Sequence, residues 1–469
     1  MKRLSGLFVN LSSMIIAQLF EKLITAGLMI YLARSLGVEA FGDWGIAAAI
    51  IIYFSLFVNS GLDIYGTREI AKKVNLRSIT YSILTIRVLL FSIAVTLIVL
   101  IYLFVNFDSL LRKLILLQGL FLFSTLFSAQ FIFQGKEKLV YQAIGKFLER
   151  AFYASLVLLV VHNPADVVWV PVCLFGGVLV NAGFSWYHAG RLLRNEAPDN
   201  TAVRNLKAIY LSAFPLGIAI IVTQIFYNFD YILLGFMMNS RVVGYYQAAY
   251  QIVMVILSTA HILSRVLLPV FSRLITQRDK YNNTLKLVTK YLLTVAMPIV
   301  AGGVLVADDL VIFLFGTEYA SAAPVFAVLI LSVFTVFGNL PFALTLIADN
   351  RQKQYMYAAS TGALINIILN LFLIPRYGMM GAAFATIICE ITVLGLIMYF
   401  ARVGALKKIL SSLATLIVPT VIMALAIHSL DLQVLLEIAI GAVCYVAGLF
   451  LFRTYNRSDL AEMRQILLK

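Results

Sequence analysis

Long, nearly uninterrupted apolar runs recur along the whole chain, and they restrict its fold more than any other feature. Leu156–Val161 and Leu435–Phe452 are two examples. Hydrophobic residues make up 62% of the chain and charged residues only 12%, against roughly a quarter charged in a soluble protein. Lipid must therefore surround most of the chain, and only helices or closed barrels satisfy their backbone polar groups there. Because barrel strands alternate apolar and polar residues, these runs predict an all-α polytopic membrane protein.

Run length and loop charge predict the number of helices and their orientation. A helix needs about 20 residues to cross a bilayer, and cytoplasmic loops are rich in lysine and arginine. With a cytoplasmic N-terminus, basic clusters such as 68–77 and 273–286 fall in inner turns, whereas Asp108, Asp308 and Asp431 fall in outer turns. The sequence predicts about fourteen spans, near the ~20 residues each requires, and two cytoplasmic termini. The predicted intervals are 11–33, 42–62, 80–104, 111–134, 140–162, 167–190, 208–235, 244–272, 286–306, 321–347, 355–375, 379–401, 407–428 and 432–452.

The same features argue against several functions. Inner loops explain the net charge of +14, so the charge does not indicate nucleic-acid binding. Cys173, Cys389 and Cys444 lie in apolar runs and are interpreted as core residues. The scattered histidines have no metal-binding spacing, and we predict no metal and no cofactor. The apolar stretch after Met1-Lys2-Arg3 is too long for a signal-peptide core and predicts a first transmembrane helix.

A weak internal repeat predicts two related halves. The motif Gly-Asp-Trp-Gly at 42–45 begins the second predicted span, and Gly-Tyr-Tyr-Gln at 244–247 begins the eighth. Six spans separate the motifs, so the halves would be parallel repeats. We therefore predict an N-terminal six-helix lobe at 1–205, a second at 206–403, and an added helix pair with a cytoplasmic tail at 404–469.

Four segments, in order along the chain, resemble a known family. They are Leu-Ala-Arg-Ser-Leu-Gly with Phe-Gly-Asp-Trp at 32–44, Gly-Leu-Asp-Ile-Tyr-Gly-Thr-Arg-Glu-Ile-Ala at 61–71, Phe-Gly-Thr-Glu-Tyr with Ala-Ala-Pro at 315–324, and Asn366 and Asn370 before Leu-Ile-Pro-Arg-Tyr-Gly and Gly-Ala-Ala at 373–383. Together they are similar to the Wzx-type polysaccharide flippases of the multidrug/oligosaccharidyl-lipid/polysaccharide (MOP) exporter superfamily.

The resemblance implies a fold and an activity. The expected fold is two six-helix lobes facing each other in a V, with two added C-terminal helices. The expected substrate is an undecaprenyl-pyrophosphate-linked oligosaccharide, flipped from the inner to the outer leaflet of the cell inner membrane by alternating access. Expected partners are this lipid-linked oligosaccharide, membrane lipid, a coupling cation (H⁺ or Na⁺), and the polysaccharide polymerase with its chain-length machinery.

Basic side chains within apolar frames are the first candidate site residues, because a charge in lipid is costly and is usually functional. Lys22, Arg87 and Arg265 are predicted to meet the pyrophosphate, since cationic groups in a water-filled cavity lower its transfer cost. Two alternatives stay open. Lys22 and its neighbour Glu21 could pair between helices, and Arg87 could extend to the cytoplasmic surface.

Carboxylates in the predicted spans are the second set of candidates. Glu21, Asp230 and Glu390 are predicted to couple transport to a cation, with interhelical packing as the alternative for each. Glu149 and Arg150 are interpreted mainly as an internal pair. Sugar contacts are predicted at polar residues of the seventh and eighth spans, namely Gln224, Asn228, Tyr246 and Gln247.

A gate is predicted from the repeat. Aligning Gly42 with Gly244 places Asp63 opposite Arg265, at equivalent ends of the second and eighth spans. Equivalent positions of parallel repeats approach each other near the pseudo-symmetry axis. We expect the two opposite charges to pair when the cytoplasmic side closes. The alternative is that each charge simply lies at the membrane edge.

Two competing functions remain. A multidrug and toxin extrusion (MATE) type antiporter shares the expected fold, but it usually has twelve helices and an acidic pocket. A membrane polysaccharide polymerase or glycosyltransferase would be an enzyme, and such enzymes generally need a large external loop. The sequence has no loop long enough for a soluble domain, so we predict a transporter that is not an enzyme.

Overall fold

The computed structural model describes residues 2–194, 196, 205–275, 277–402, 406–430, 432–452 and 454–455. Within these ranges the chain is helical and contains no strand. This confirms the predicted all-α class. The outer-turn residue Asp431 and the predicted tail beyond residue 455 lie outside the described ranges. The chain divides into two compact units, Met1–Gly244 and Tyr245–Lys469, and each is described by itself.

The described residues of the first unit form nine helices, α1 to α9, and a tenth helix, α10, begins just before this unit ends at Gly244. They are α1 (Lys2–Asn59), α2 (Leu62–Ala71), α3 (Leu76–Phe104), α4 (Ser109–Gln118), α5 (Leu122–Leu126), α6 (Gln130–Gly135), α7 (Leu139–Val160), α8 (Trp169–Arg194), α9 (Leu206–Met237) and α10 (Ser240–Leu274).

Seven further helices follow in the second unit. They are α11 (Arg278–Leu305), α12 (Ala307–Phe315), α13 (Ala323–Leu329), α14 (Leu331–Ala348), α15 (Gln352–Ala401), α16 (Leu406–His428) and α17 (Val434–Leu451).

Nine helical stretches of the described residues are long and apolar enough to cross a membrane. Each of the fourteen predicted intervals is mostly helical, although 111–134 is interrupted at 127–129 between α5 and α6. The described residues form nine such stretches where fourteen spans were predicted, partly because α1 and α15 each contain two predicted spans. Backbone angles at Gly37 (φ 70°) and Gly378 (φ 55°) leave the helical region and divide these two long helices. The count of fourteen is thus approximate, whereas the polytopic membrane fold is confirmed.

One face of α3 packs inside the first unit and the other is apolar and exposed. Ile79, Ile83 and Arg87 recur every four residues, which places them on one face of a helix, and all are buried. Leu89 and Leu103 on other faces are more than half exposed. Exposed apolar residues of this kind suit contact with lipid acyl chains. The helix therefore directs a charged side chain into the protein and apolar ones towards the membrane.

A sharp turn joins α1 to α2. Gly61 has φ 78°, in the left-handed region that side chains other than glycine rarely adopt. A Cβ at this position would also collide with the backbone of Ala213 in α9. Gly61 lies two residues before Asp63, which is in the first turn of α2. The turn therefore fixes the position of this carboxylate.

The first compact unit ends later than the predicted first lobe. Helix α9 packs against α1, α2 and α3, so the compact unit extends beyond residue 205. The predicted division at 205 and 403 concerns sequence repeats rather than compactness, and it stays a prediction.

The C-terminal helix pair packs on α11 in the second unit. Met423 and Ile427 of α16 and Tyr445 of α17 belong to one buried cluster. Beyond α17, the Lys290 ammonium of α11 donates to the Thr454 carbonyl at 2.5 Å and lies 4.5 Å from the centre of the Tyr455 ring. The chain after α17 is thereby attached to α11.

Candidate functional site

A polar cavity of about 190 Å³ lies within the first unit. It is surrounded by α1, α2, the α4–α6 segment, α7 and α8. Its polar lining consists mainly of hydroxyl and amide side chains, with one carboxylate and one ammonium. The polar lining residues are Ser55, Asn59, Asp63, Ser124, Thr125, Ser128, Gln130, Gln142, Lys146, Asn181 and Ser185. Because the surrounding helices are apolar outside, this concentration of polar groups marks a site for a polar ligand.

Asp63 supplies the carboxylate and is held by a fully buried arginine. The Arg87 Nη2 atom lies 2.7 Å from Asp63 Oδ1, and Arg87 Nη1 donates to the Ser128 carbonyl at 2.7 Å. The Arg87 guanidinium is also 5.4 Å from the centre of the Phe131 ring. Asn59 Nδ2 donates to the second Asp63 oxygen at 3.1 Å. Asp63 is thus held in position, and the Arg87 guanidinium balances its charge.

Lys146 supplies the ammonium and is held by a fully buried glutamate. Lys146 Nζ donates to Glu149 Oε2 at 2.9 Å, and Asn181 Nδ2 donates to the same oxygen at 2.7 Å. Ser185 in turn donates to Asn181 Oδ1 at 3.0 Å. The network crosses from α7 to α8, so it fixes both the ammonium and the amide at the cavity wall.

The two charged side chains that line the cavity are Asp63 and Lys146. Each is therefore paired with a fully buried opposite charge that does not line the cavity. Breaking such a buried pair leaves an uncompensated charge, which is strongly destabilising. The four groups Asp63, Arg87, Lys146 and Glu149 sum to zero formal charge, so the cavity is polar but balanced.

The predicted residues Glu21, Lys22 and Arg87 are charged groups of the first unit. Arg87 does not extend to the surface, and it lies behind Asp63 rather than among the residues that line the cavity. Glu21 Oε1 lies 4.0 Å from Arg150 Nε, which is the interhelical pairing that was left open. Lys22 is exposed. Their predicted roles in substrate and ion binding stay predictions.

The predicted residues of α9 include two that contact each other. Asn228 Nδ2 donates to Gln224 Oε1 at 2.7 Å, and the Tyr53 hydroxyl donates to the Gln224 carbonyl at 3.3 Å. Asp230 is buried near the end of the same helix. Helix α9 thus carries two half-buried amides, Gln224 and Asn228, which are one turn apart. It also carries a buried carboxylate, Asp230, two residues after Asn228.

In the second unit, Glu390 is a buried carboxyl group among neutral partners. The Thr335 hydroxyl donates to Glu390 Oε2 at 2.5 Å, while Glu390 Oε1 is buried and has no hydrogen-bond partner among the described residues. Tyr246 is also buried, with its hydroxyl 3.5 Å from that of Thr386, and Gln247 is half-buried. Among the described residues, no cluster of histidine, cysteine, aspartate or glutamate could hold a metal ion.

The two predicted gate residues lie in different compact units. Asp63 contacts Arg87 and Asn59 in the first unit, and Arg265 is exposed on α10 in the second. Their pairing in a closed state stays a prediction.

The cavity residues that the sequence interpretation missed share one signal. Gln142 and Lys146 are four residues apart on α7, and Asn181 and Ser185 are four residues apart on α8. Positions separated by three or four residues share a helix face. A polar stripe in an apolar helix could therefore have been found from the sequence. Lys146 was instead grouped with Lys136 and Lys138 as part of an inner basic turn, although the predicted interval 140–162 contains it.

Comparison with solved structures defines the class of protein. The lipid II flippase MurJ in an inward closed conformation matches 94% of this chain and 98% of its own, with a TM-score of 0.77 and 17% identity. An inward-facing MATE multidrug transporter of the MOP superfamily matches 83% of this chain and 96% of its own, with a TM-score of 0.66 and 12% identity. The fold is therefore the one that MurJ and this MATE transporter share.

Sequence comparison then gives the family. The model of the family described as "Polysaccharide biosynthesis protein" matches residues 7–275, and the chain belongs to this family. A protein named "Putative O-antigen transporter" from Shigella dysenteriae is 24% identical over 370 residues, covering 77% of this chain and 92% of that protein. These findings confirm the predicted resemblance to Wzx-type flippases, a family of transporters and not of enzymes.

Proposed function

We propose that this protein flips an undecaprenyl-pyrophosphate-linked oligosaccharide from the inner to the outer leaflet for surface polysaccharide synthesis. The observation that carries the proposal is a fixed, polar, charge-balanced cavity inside a membrane-embedded unit of a chain from this family. Relatives named as an O-antigen transporter and as a flippase support it. A lipid tail can remain in the bilayer while its polar headgroup enters such a cavity, which suits alternating access.

The pyrophosphate would be met by cations at exposed positions. Lys22 on α1 and Arg265 on α10 are both exposed, so an anionic headgroup can approach them. Arg87 is fully buried against Asp63 and would act through that carboxylate. We therefore assign pyrophosphate attraction to Lys22 and Arg265. The Asp63–Arg265 gate is kept as a proposal, and in it Arg265 would compete with Arg87 for Asp63.

A carboxyl group that can change its charge would couple transport to a cation. Glu390 is the strongest candidate because its partners are neutral, so no fixed positive charge holds it ionised. Asp230 is a second candidate. Glu21 is the weakest, because Arg150 lies beside it.

A reconstituted assay tests the proposal. Purified protein in proteoliposomes should move lipid-linked oligosaccharide to the opposite leaflet, where an added glycosidase or lectin detects it. Deletion of the chromosomal gene should remove surface polysaccharide, and a plasmid copy should restore it. Drug efflux without oligosaccharide movement would favour the MATE-type antiporter. New glycosidic product from the purified protein would favour the polymerase or glycosyltransferase.

The proposed location is the cell inner membrane, with both termini in the cytoplasm. The support is the alternation of basic and acidic turns along the chain. Reporter fusions after Asp108 and Asp309 should show an external location, and a fusion after Lys280 an internal one. A polymerase with its chain-length machinery is the expected partner, and co-purification would test it.

A further inference from the structure

The cavity of the first unit combines an apolar side with a hydrogen-bonding side. Phe121, Phe127 and Phe133 line it together with the amides of Gln130 and Gln142. The face of an aromatic ring carries partial negative charge and attracts the weakly positive edges of C–H groups. Amide, hydroxyl and carboxylate groups bind hydroxyls as donors and acceptors. A sugar ring presents both surfaces, with C–H groups on its faces and hydroxyls around its rim.

The charge balance of the cavity distinguishes among ligands. A pyrophosphate would find a carboxylate, Asp63, as well as the ammonium of Lys146 on the cavity wall. The set of four charges is neutral, and Arg150 and Glu21, which lie next to Glu149, add one charge of each sign. A cation would find that Arg87 already neutralises Asp63 at 2.7 Å. An uncharged ligand gains hydrogen bonds from both lining charges and suffers no repulsion from either. The electrostatics therefore favour a neutral polyhydroxyl group.

The size of the cavity limits the ligand further. Pockets for whole drug-sized ligands are about 300–1,000 Å³, whereas this cavity measures about 190 Å³. It has room for a single ring rather than for a complete oligosaccharide.

We propose that this cavity is a sugar subsite, which holds one uncharged pyranose residue of the transported lipid-linked oligosaccharide. Asp63 accepts hydrogen bonds from its hydroxyls, Lys146 donates to them, and the phenylalanine rings contact its C–H face. Arg87 and Glu149 are positioning residues that keep Asp63 and Lys146 in place. The inference rests on the proposed flippase function and adds a site within the first unit that recognises the sugar.

Cysteine protection tests the subsite directly. Ser124 lines the cavity and is half-buried, whereas Ser109, which follows the outer-turn residue Asp108, is exposed outside it. In a background without Cys173, Cys389 and Cys444, Ser124→Cys and the control Ser109→Cys would be labelled with a small maleimide in nanodiscs. The probes are undecaprenyl-pyrophosphate-linked oligosaccharide, undecaprenyl pyrophosphate without sugar, and the free oligosaccharide.

The sugar-bearing lipid should slow labelling at Ser124→Cys about fivefold or more when most sites are occupied. It should leave labelling of Ser109→Cys unchanged, and the lipid without sugar should protect neither variant. Equal protection by the sugarless lipid would overturn the proposal, because the cavity would then bind the pyrophosphate or the lipid. Absence of protection, in a variant that still flips oligosaccharide, would also overturn it while leaving the flippase function intact. If the wild-type protein does not flip oligosaccharide, the proposed function fails and the subsite fails with it.

A cavity-filling variant gives a second readout. Ser124→Phe should reduce oligosaccharide flipping at least about tenfold, at a protein level in the membrane equal to that of the control Ser155→Phe, which is exposed on α7 outside the cavity. Undecaprenyl pyrophosphate should still bind Ser124→Phe as it binds the control. Normal flipping by Ser124→Phe, or an equal loss in both variants, would contradict the sugar subsite.

Discussion

The two compact units treat buried charge differently. In the first unit, the fully buried Arg87 and Glu149 each face an opposite charge within 2.9 Å. In the second, the buried Glu390 contacts a hydroxyl and the buried Lys290 contacts a carbonyl and an aromatic ring. An opposite charge compensates a buried charge more strongly than neutral groups do. The two ion pairs of the first unit are thus suited to holding a site in one arrangement.

The largest expected effect comes from removing the fixed arginine. Arg87→Met leaves Asp63 uncompensated, and loss of one partner of a buried pair costs about 3–5 kcal/mol. We expect a pronounced fall in the thermal unfolding temperature of the purified protein. Arg87→Met combined with Asp63→Asn removes both charges and should recover most of this loss.

Arg68→Met is the matched control for this variant. Arg68 pairs with Glu69 on the same helix but is about half exposed, and such pairs contribute about 0–1 kcal/mol. A comparable loss in both variants, or a double variant no better than Arg87→Met alone, would show that the Asp63–Arg87 pair does not stabilise the first unit as described.

An intermediate effect is expected at Lys290. Lys290→Met keeps the apolar stem but removes the ammonium that donates to the Thr454 carbonyl, and a hydrogen bond to a charged group contributes about 1.5–3 kcal/mol. The unfolding temperature should fall by less than in Arg87→Met, because contacts with the Thr454 carbonyl and the Tyr455 ring are weaker than a buried ion pair. The exposed Lys280→Met serves as control. If Lys290→Met lowers the unfolding temperature as much as Arg87→Met does, the proposed difference between the ion pair of Arg87 and the neutral contacts of Lys290 is wrong.

The smallest effect on stability is expected at Glu390. Glu390→Gln preserves an oxygen that accepts from the Thr335 hydroxyl, so the unfolding free energy should change by less than about 1 kcal/mol. Transport should nevertheless lose its dependence on an imposed cation gradient, measured in proteoliposomes with H⁺ or Na⁺ gradients. Thr335→Val is the control, since it removes the hydroxyl while leaving the carboxyl group. Full gradient dependence in Glu390→Gln would exclude this residue from ion coupling.

The sequence singled out Arg87 for a physical reason. Its depth in an apolar segment predicted a functional role, the structure buries it completely, and the role stays a prediction. Depth in an apolar segment could not show whether Arg87 contacts the ligand or pairs with Asp63, because Asp63 is 24 residues away in sequence. Lys146 was missed because it lies near the start of α7, close to the basic turn at Lys136 and Lys138.

Composition and loop charge determined the solvent, the helical class and the approximate number of spans. Lipid leaves the backbone no other way to satisfy its polar groups, so these conclusions need no tertiary information. The ordered motifs likewise sufficed to indicate the family.

Tertiary structure alone decided which charges meet. Asp63 reaches Arg87, and Asn181 of α8 completes the pair of Lys146 and Glu149 on α7. Hydropathy reports how apolar a helix is, but not which of its faces packs against which neighbour. Whether a charge is paired, buried or open to a ligand depends on atoms that only the folded chain brings within about 3 Å of one another.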